Sequence, residues 1–164
     1  MRATVQADRG TSPRCIWPAM HRGLLVLCVL AASACQTPQW PVEGPIRSPY
    51  GVRGGGFVAE VHRGVDVAVP VGTRVRPILS GRVRFAGVME GYGNVVWVDH
   101  SDDLLSVYAH LSEISVEPAQ EITKATVLGL SGRSGNATGP HLHLEVWRWG
   151  REVDPVHFLG RPRR

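Results

Sequence analysis

The chain contains 164 residues, which is enough for one domain with a single core. Its 19 glycines and 12 prolines indicate many turns and argue against a helical bundle. Of its 18 basic and 14 acidic residues, four basic and one acidic precede Gln36, which leaves 14 basic and 13 acidic residues in the remainder. That nearly neutral remainder lacks the clustered basic face of a nucleic-acid-binding protein, so no nucleic-acid partner is expected.

Residues 1–35 have the features of an export signal region. From Met20 the sequence reads "MHRGLLVLCVLAASAC", with a positive charge at Arg22, a short apolar core and small residues before Cys35. The apolar core is too short to span a bilayer as a stable helix, but it suits a secretory signal. Residues 1–19 are polar and resemble no part of a signal, so we expect Met20 to be the true start.

All three cysteines lie within this region, so the remainder holds neither a disulfide framework nor a thiolate metal site. A cysteine directly after small residues resembles the bacterial lipoprotein signal, which implies that the chain is cut before Cys35 and that Cys35 carries a lipid. The alternative is a signal cut after Ala34 without lipidation. Either route exports the remainder of the chain.

The sequence after the signal divides into three predicted parts. Residues 36–47 are rich in proline and polar residues, which is typical of a short extended tether. Residues 48–160 form one predicted domain, in which we find neither an internal repeat nor coiled-coil heptads. Residues 161–164 are a basic tail.

The predicted domain is rich in strand signals. Apolar and polar residues alternate in segments with many β-branched and aromatic residues, separated by turn sequences such as "PVGT" and "EGYGN". This pattern predicts an all-β, antiparallel sandwich or barrel-like fold. A helical turn within "EISVEPAQEITKATVLG" stays possible, although Pro118 disfavours a long helix. The predicted strands are "GVDVAV" (64–69), "RVRFAGV" (82–88), "NVVWVDH" (94–100), "LLSVYAHL" (104–111) and "HLHLEVWRW" (141–149).

Candidate ligands recur at the spacing that puts strand residues on one face. Side chains at i, i+2 and i+4 of a strand project to the same side. A single strand histidine is more often structural than a ligand, but three such sets hold four of the seven histidines. The sets are His62 with Asp66, Tyr108 with His110, and His141 with His143.

These residues offer more donors than a closed metal site needs. Catalytic zinc has three His, Asp or Glu ligands and leaves one position open for water. Additional histidines can then move protons, because imidazole titrates near neutral pH. The sequence has no H-E-x-x-H motif, which excludes a zincin helix.

At this point the motifs resemble a known family. The segments "HRGVDVAVPVGTRV", "GYGNVVWVDH", "YAHL", "GLSGRSGNATGPHLHLEV" and "VDPVHFL" are similar in order to the LytM (lysostaphin-type) zinc peptidases, which are bacterial peptidoglycan endopeptidases. The resemblance runs from about residue 48 to 159 and implies the LytM peptidase fold with one Zn²⁺ per chain. It implies that the three zinc ligands are His62, Asp66 and His143. It implies that the two catalytic histidines are His110 and His141.

The resemblance also implies a substrate and a location. The expected activity is hydrolysis of peptide cross-links in peptidoglycan, whether glycine bridges or D-amino-acid cross-links. Some members of the family instead regulate other cell-wall hydrolases, but this chain keeps all five expected positions, which favours an enzyme. A lipid on Cys35 implies a membrane anchor facing the periplasm. The residue after this cysteine is Gln36 and not the aspartate associated with inner-membrane retention in some bacteria, which favours the outer membrane.

Several other residues have two interpretations or a structural one. Tyr108 could line the site or be structural, and Glu145 could orient a ligand or lie at the surface. His100 and His157 are interpreted as structural. Four glycines are expected in turns that require positive φ, namely Gly91, Gly93, Gly135 and Gly139.

Overall fold

The computed structural model describes residues 36–53, 60–101 and 103–162. The predicted signal region, including Met20 and Cys35, lies outside these residues, as does the end of the basic tail. The described parts contain twelve strands and one helix. They are β1 (Ile46–Ser48), β2 (Gly51–Arg53), β3 (Glu60–His62), β4 (Val65–Val67), β5 (Arg74–Val75), β6 (Gly81–Met89), β7 (Gly93–Ser101), β8 (Leu104–Ile114), β9 (Glu121–Ile122), β10 (Gly129–Ser131), β11 (Leu142–Arg148), β12 (Arg151–Val153) and α1 (Pro155–Leu159).

The predicted all-β antiparallel fold is confirmed. Ten strands form one antiparallel sheet with the order β1-β4-β11-β8-β7-β6-β9, while β10 pairs with β5 and β8, and β12 pairs with β11. Strands β2 and β3 form a separate hairpin. Each of the five predicted strands corresponds to one of the observed strands, β4, β6, β7, β8 or β11. The segment that left a helical turn open, residues 113–129, contains no helix; it holds the end of β8, the short strand β9 and the first residue of β10.

The large sheet has two different faces, between which the side chains of β11 alternate. On β11 the even-numbered residues pack into the main core, whereas the odd-numbered residues from His143 to Trp147 face the other side. His143 pairs with Ala109 of β8 and with Asp66 of β4, so these three residues share that second face. The main core therefore serves as a rigid support beneath the polar side chains.

The prediction that Tyr108 and His110 share a face is wrong. Tyr108 is completely buried in the main core. Between Asn94 and Val96 the β7–β8 register shifts, so β8 holds one extra residue, and His110 adopts a positive φ of 60°. This β-bulge turns the His110 ring to the opposite face, where it lies 5.8 Å from the ring of His143.

The segment predicted as a tether contacts the domain. The Gln39 backbone N–H donates to the carbonyl of Ile78, and the Trp40 indole N–H donates to the carbonyl of Gly160. Val42 is buried in the main core. Packing against the domain therefore begins well before residue 48, and Cys35–Arg164 forms one compact unit. Among the described residues, no helix is both long enough and apolar enough to cross a bilayer.

A buried polar network lies next to the main core. His100 places Nδ1 3.0 Å from the carbonyl oxygen of Ser80 and Nε2 2.7 Å from Ser106 Oγ. Ser106 is in turn hydrogen-bonded to the hydroxyl of Tyr108, which accepts the backbone N–H of Ile78. These contacts agree with the structural interpretation of His100 and Tyr108, and burial lowers the pKa of His100.

We expect His100 to make folding stability depend on pH. Its pKa is lower in the folded than in the unfolded chain, so the unfolded chain binds more protons and the free energy of unfolding falls as pH drops below about 6.5. Urea denaturation of residues 35–164 between pH 5 and pH 7.5 measures this slope. His100→Asn keeps a short polar side chain and should reduce the slope, whereas His157→Asn, at an exposed site on α1, should leave it unchanged. Equal slopes in both variants would contradict the prediction.

Candidate metal centre

Three candidate ligand atoms meet on the second face of the sheet. His62 Nε2 lies 3.1 Å from Asp66 Oδ1 and 3.1 Å from His143 Nδ1, and the last two atoms are 2.8 Å apart. Tetrahedral zinc ligands at about 2.0–2.1 Å from the ion are separated by about 3.3 Å. The triangle is within a few tenths of an ångström of that size, and its nitrogen and carboxylate donors suit Zn²⁺. Its members fit the metal.

The other polar atom of each of these residues is held by a second partner. His62 Nδ1 donates to the carbonyl of Pro49 (2.7 Å), and His143 Nε2 donates to Glu145 Oε1 (3.1 Å). In the neutral rings these bonds leave a lone pair on His62 Nε2 and His143 Nδ1, toward the triangle, whereas a protonated ring donates from that nitrogen to Asp66. Arg53 Nη2 donates to Asp66 Oδ2 at 2.7 Å, which leaves Oδ1 directed at the triangle. Such outer contacts orient ligands and strengthen metal binding.

The electrostatic environment favours a cation at this point. Burial acts to raise the pKa of the Asp66 carboxyl, but hydrogen bonds from His143 and His62 outweigh it and hold the pKa well below its usual range. For Glu145, too, burial is outweighed by the hydrogen bonds from His143 and Trp147, so its pKa is lowered. Two ionised carboxylates therefore flank His143 and, despite burial, raise its pKa. The negative electrostatic potential that stabilises a proton on His143 would also attract a metal ion.

Two further histidines face the triangle. His110 Nδ1 donates to the carbonyl of Ser134 (2.8 Å), and His141 Nδ1 donates to the carbonyl of Gly139 (2.7 Å). Their rings are 4.7 Å apart, and His141 Nε2 lies 3.7 Å from Asp66 Oδ1. Both rings thus keep Nε2 free on the side of the candidate ligands. Burial lowers the pKa of His110, which favours the neutral form that accepts a proton.

Two glycine-containing loops hold His110 in its strained conformation. The backbone N–H of His110 donates to the carbonyl of Tyr92. Gly93 and Gly135, both at positive φ, approach so closely that a Cβ on Gly135 would lie 2.4 Å from the nitrogen of Gly93. Gly91 also has positive φ, as predicted. Gly139 does not, so its predicted role was wrong.

Glu145 is the buried centre of the outer contacts. It is only 1% exposed, which excludes the surface interpretation. Its Oε1 accepts from the Tyr92 hydroxyl (2.8 Å) and from His143, and its Oε2 accepts from the Trp147 indole N–H (2.7 Å). Burial and the negative charge of Glu145 raise the pKa of Tyr92 to about 12, so the hydroxyl remains a donor.

The structure brings all five predicted site residues together around a cavity of about 260 Å³. His62 and Asp66 converge although they lie on different strands, because the chain bends between β3 and β4. Three further contributors to the site were not predicted from the sequence, namely Arg53, Tyr92 and Trp147. For Trp147 the signal was present, because it continues the same-face series through His143 and Glu145. Arg53 lies in the hairpin of β2 and β3, and Tyr92 lies in the loop between β6 and β7. No local sequence pattern shows that these two segments approach the candidate ligands.

Residues 60–155, more than half of the chain, match the model of peptidase family M23. The protein is a member of peptidase family M23. The resemblance to the LytM (lysostaphin-type) peptidases is therefore confirmed. Two solved structures show the same fold. A zinc-containing peptidase from Vibrio cholerae has a TM-score of 0.68 and 30% identity, covering 73% of this chain and 39% of that one. The catalytic domain of lysostaphin from Staphylococcus simulans has a TM-score of 0.61 and 29% identity, covering 73% and 92%.

Relatives similar to this chain carry different names. The DD-carboxypeptidase/endopeptidase Mpg of Neisseria meningitidis is 39% identical over 68% of this chain and 26% of its own length. Outer membrane antigenic lipoprotein B of Haemophilus influenzae is 36% identical over 75% and 29%. The murein hydrolase activator NlpD of Escherichia coli is 33% identical over 75% and 31%. This M23 chain thus spans between about a quarter and a third of these relatives.

We expect Glu145→Gln to weaken zinc binding by about 10- to 100-fold, because the neutral amide holds the His143 N–H less strongly than a carboxylate does. Competition with a chromophoric chelator measures the dissociation constant. Glu113→Gln, at an exposed position on β8, is the matched control and should bind zinc like the wild type. Unchanged zinc affinity in folded Glu145→Gln would show that this hydrogen bond does not support the ligand.

Proposed function

We propose that this M23 protein is a zinc-dependent endopeptidase that hydrolyses peptide cross-links of bacterial peptidoglycan at the cell envelope. The observation that carries the proposal is the joint geometry of five side chains. Three donor atoms converge within 3.1 Å of one another, and two more imidazoles present free Nε2 atoms beside them. A structural metal site would be closed by its ligands and would not need the additional histidines.

His62, Asp66 and His143 would hold one Zn²⁺ per chain. When bound, the metal supplies a Lewis acid that activates a water molecule and polarises the scissile carbonyl. The protein prepares this chemistry before any ligand arrives, because Pro49 and Glu145 hold the two imidazole rings and Arg53 directs the Asp66 carboxylate. The cavity is open to solvent beside these groups, so an extended peptide has access to them.

His110 and His141 form the proposed proton-handling pair. In each ring, Nδ1–H is held by a backbone carbonyl, so Nε2 is the atom available for catalysis. One Nε2 accepts the proton of the attacking water. The other, as N–H, stabilises negative charge developing on the carbonyl oxygen or donates a proton to the leaving amine. The short distance between the rings keeps both functions at one peptide bond.

A second candidate function is activation of other cell-wall hydrolases. The identity with the protein named murein hydrolase activator NlpD favours this candidate, since an aligned region covering 75% of this chain must overlap more than half of the M23 match at residues 60–155. An activator would need the surface of the domain and not the five-residue site. Retention of both catalytic histidines and all three ligands in this chain supports the enzyme.

We expect His141→Ala to lower cleavage at least about 100-fold while it retains zinc, because it removes a proton-transfer group but no ligand. His62→Ala should lose both zinc and activity. Release of muropeptides from purified sacculi, followed by mass analysis, measures cleavage and identifies the bond that is cut. His157→Ala, exposed on α1, is the control for histidine loss.

The same assay separates the two candidates. Wild-type protein with full zinc occupancy that releases no muropeptides alone, but increases release by an added amidase, would overturn the peptidase and support the activator. Equal stimulation of that amidase by wild type and by His141→Ala would likewise overturn the peptidase and support the activator.

The proposed location is the periplasmic side of the outer membrane, through a lipid on Cys35. Support comes from the cysteine that follows small residues and from the similarity to a protein named outer membrane antigenic lipoprotein B. We expect Cys35→Ser to move the full-length protein from the membrane to the soluble fraction, because serine cannot form the thioether. Fractionation and immunoblotting measure the shift. Unchanged partitioning would contradict the lipid anchor.

A further inference from the structure

The turn between β11 and β12 exposes an aromatic ring. Trp149 is 69% exposed, and it is the one aromatic residue among the large apolar side chains exposed in the described part of the chain. Trp149 and Gly150 have positive φ values of 50° and 72°, which is the pattern of a two-residue type I′ turn. Asparagine or glycine suits the first of these positions, whereas a bulky residue there is strained. The strain indicates that the tryptophan is retained for its side chain.

Two arginines flank this ring. Arg148 and Arg151 pair directly across the hairpin, so their side chains leave the same face, where like charges repel each other. The guanidinium carbon of Arg148 lies 4.2 Å from the centroid of the Trp149 ring, which is a cation–π contact. Within the described residues, neither arginine forms an ion pair with an acidic side chain. The turn therefore combines an exposed aromatic ring with two adjacent positive charges, an arrangement that an anionic surface would stabilise.

The proposed lipid would lie at the same end of the sheet as this turn. The Gln36 side-chain oxygen accepts from the backbone N–H of Ser80, which directly precedes β6. In the sheet register, the start of β6, the end of β7, the start of β8 and the end of β11 lie together at one end. Three strand spacings separate β6 from β11, and Cys35 is one residue from Gln36. The lipid would therefore lie within about 20 Å of the turn.

The metal centre lies at the opposite end of the same strands. His143 is the second residue of β11 and Arg148 is the last, five steps or about 17 Å away. Tyr92, whose hydroxyl donates to Glu145, directly precedes β7 at that opposite end. A domain held at the Gln36 end would therefore carry its catalytic cavity at the end far from the anchor.

We propose that the Trp149 turn, residues 148–151, docks on the phospholipid surface that carries the lipid of Cys35. This inference rests on the lipid anchor of the proposed function. Tryptophan suits the headgroup level of a bilayer, because its ring is apolar and its N–H stays hydrated. Arg148 and Arg151 contact headgroup phosphates, and anionic lipids strengthen this attraction. The lipid and the turn are two separate contacts, so together they set the orientation of the domain and direct its cavity toward the wall.

A chemical anchor tests docking without lipidation in a cell. Cys35 is the single cysteine of residues 35–164, so a maleimide on a lipid headgroup can tether this unit to phosphatidylethanolamine–phosphatidylglycerol vesicles. Phosphatidylcholine with brominated acyl chains, added to these vesicles, quenches tryptophans that enter the bilayer surface. We expect the tethered wild type to be quenched. Trp149→Phe should lose this quenching, because it removes the docked fluorophore, whereas Trp97→Phe should retain it.

Partitioning without the tether measures the contribution of charge. Residues 36–164 are titrated with the same vesicles, and Arg151→Gln should lower the partition coefficient about fivefold, as expected for one basic residue near an anionic surface. Arg74→Gln is the matched control because it removes the same charge from an exposed position. Arg74 lies on β5, which joins the sheet through β10 at the end of β8 far from the turn. This control should bind vesicles like the wild type.

Four results would overturn the inference. They are an unquenched wild type, quenching that persists in Trp149→Phe, an equal loss of partitioning in Arg151→Gln and Arg74→Gln, and a Trp149 indole N–H signal that sacculi broaden while bilayers leave the fluorescence unquenched. The last result would assign the turn to the wall.

The outcomes also separate docking from the proposed function. Both vesicle assays need neither zinc nor substrate. Quenching of Trp149 without muropeptide release would retain docking and overturn the peptidase. Muropeptide release without quenching would retain the peptidase and overturn docking. Quenching in the tethered protein, together with unchanged partitioning of Cys35→Ser in cells, would retain a membrane-binding turn and overturn the lipid on Cys35.

Discussion

The geometry of the metal centre depends on one buried carboxylate. Glu145 is ionised inside the protein only because Tyr92, Trp147 and His143 all donate to it. Each donor comes from a different part of the site: a loop, the far end of β11 and the ligand set itself. Loss of any one would leave a buried charge with fewer partners, which is costly. The carboxylate therefore couples the orientation of a candidate ligand to the packing of the whole second face.

The strands and the series of candidate site residues on β11 could be predicted because both follow from spacing along the chain. Strict alternation on β11 identifies which residues face the core, and it places His141, His143, Glu145 and Trp147 in one series. The resemblance to lysostaphin-type peptidases then implied which residues are ligands and which are additional histidines, a division that spacing alone left open and that stays a prediction. Helix α1 also had a local signal, since Asp154 caps it and Pro155 occupies its first turn. The helix was not predicted, because its five residues are too few to show a periodic pattern.

The orientation of His110 could not be predicted because it arises from pairing between strands. Alternation placed it with Tyr108, but the bulge on β8 exists only in the register that β7 imposes. The positive φ of His110 is strained for a residue with a side chain, and Tyr92 and Ser134 maintain it through backbone carbonyls. Strain of this kind is held by the surrounding structure, here by the close contact of Gly93 with Gly135. The orientation of His110 therefore cannot be predicted from the residues next to it in the sequence.

The contacts of Gln39 and Trp40 with the domain determine how far the protein can reach. The chain contacts the domain from Gln36 onward, because the Gln36 side-chain oxygen accepts from the Ser80 backbone N–H, and Gln39 and Trp40 then bond to Ile78 and Gly160. With a lipid on Cys35, as proposed, at most four residue steps, about 14 Å, would separate the lipid from the backbone bond of Gln39 to the domain. Such a protein would work only on the layer of wall that lies against its membrane. Hydrolysis would then be restricted by distance as well as by chemistry.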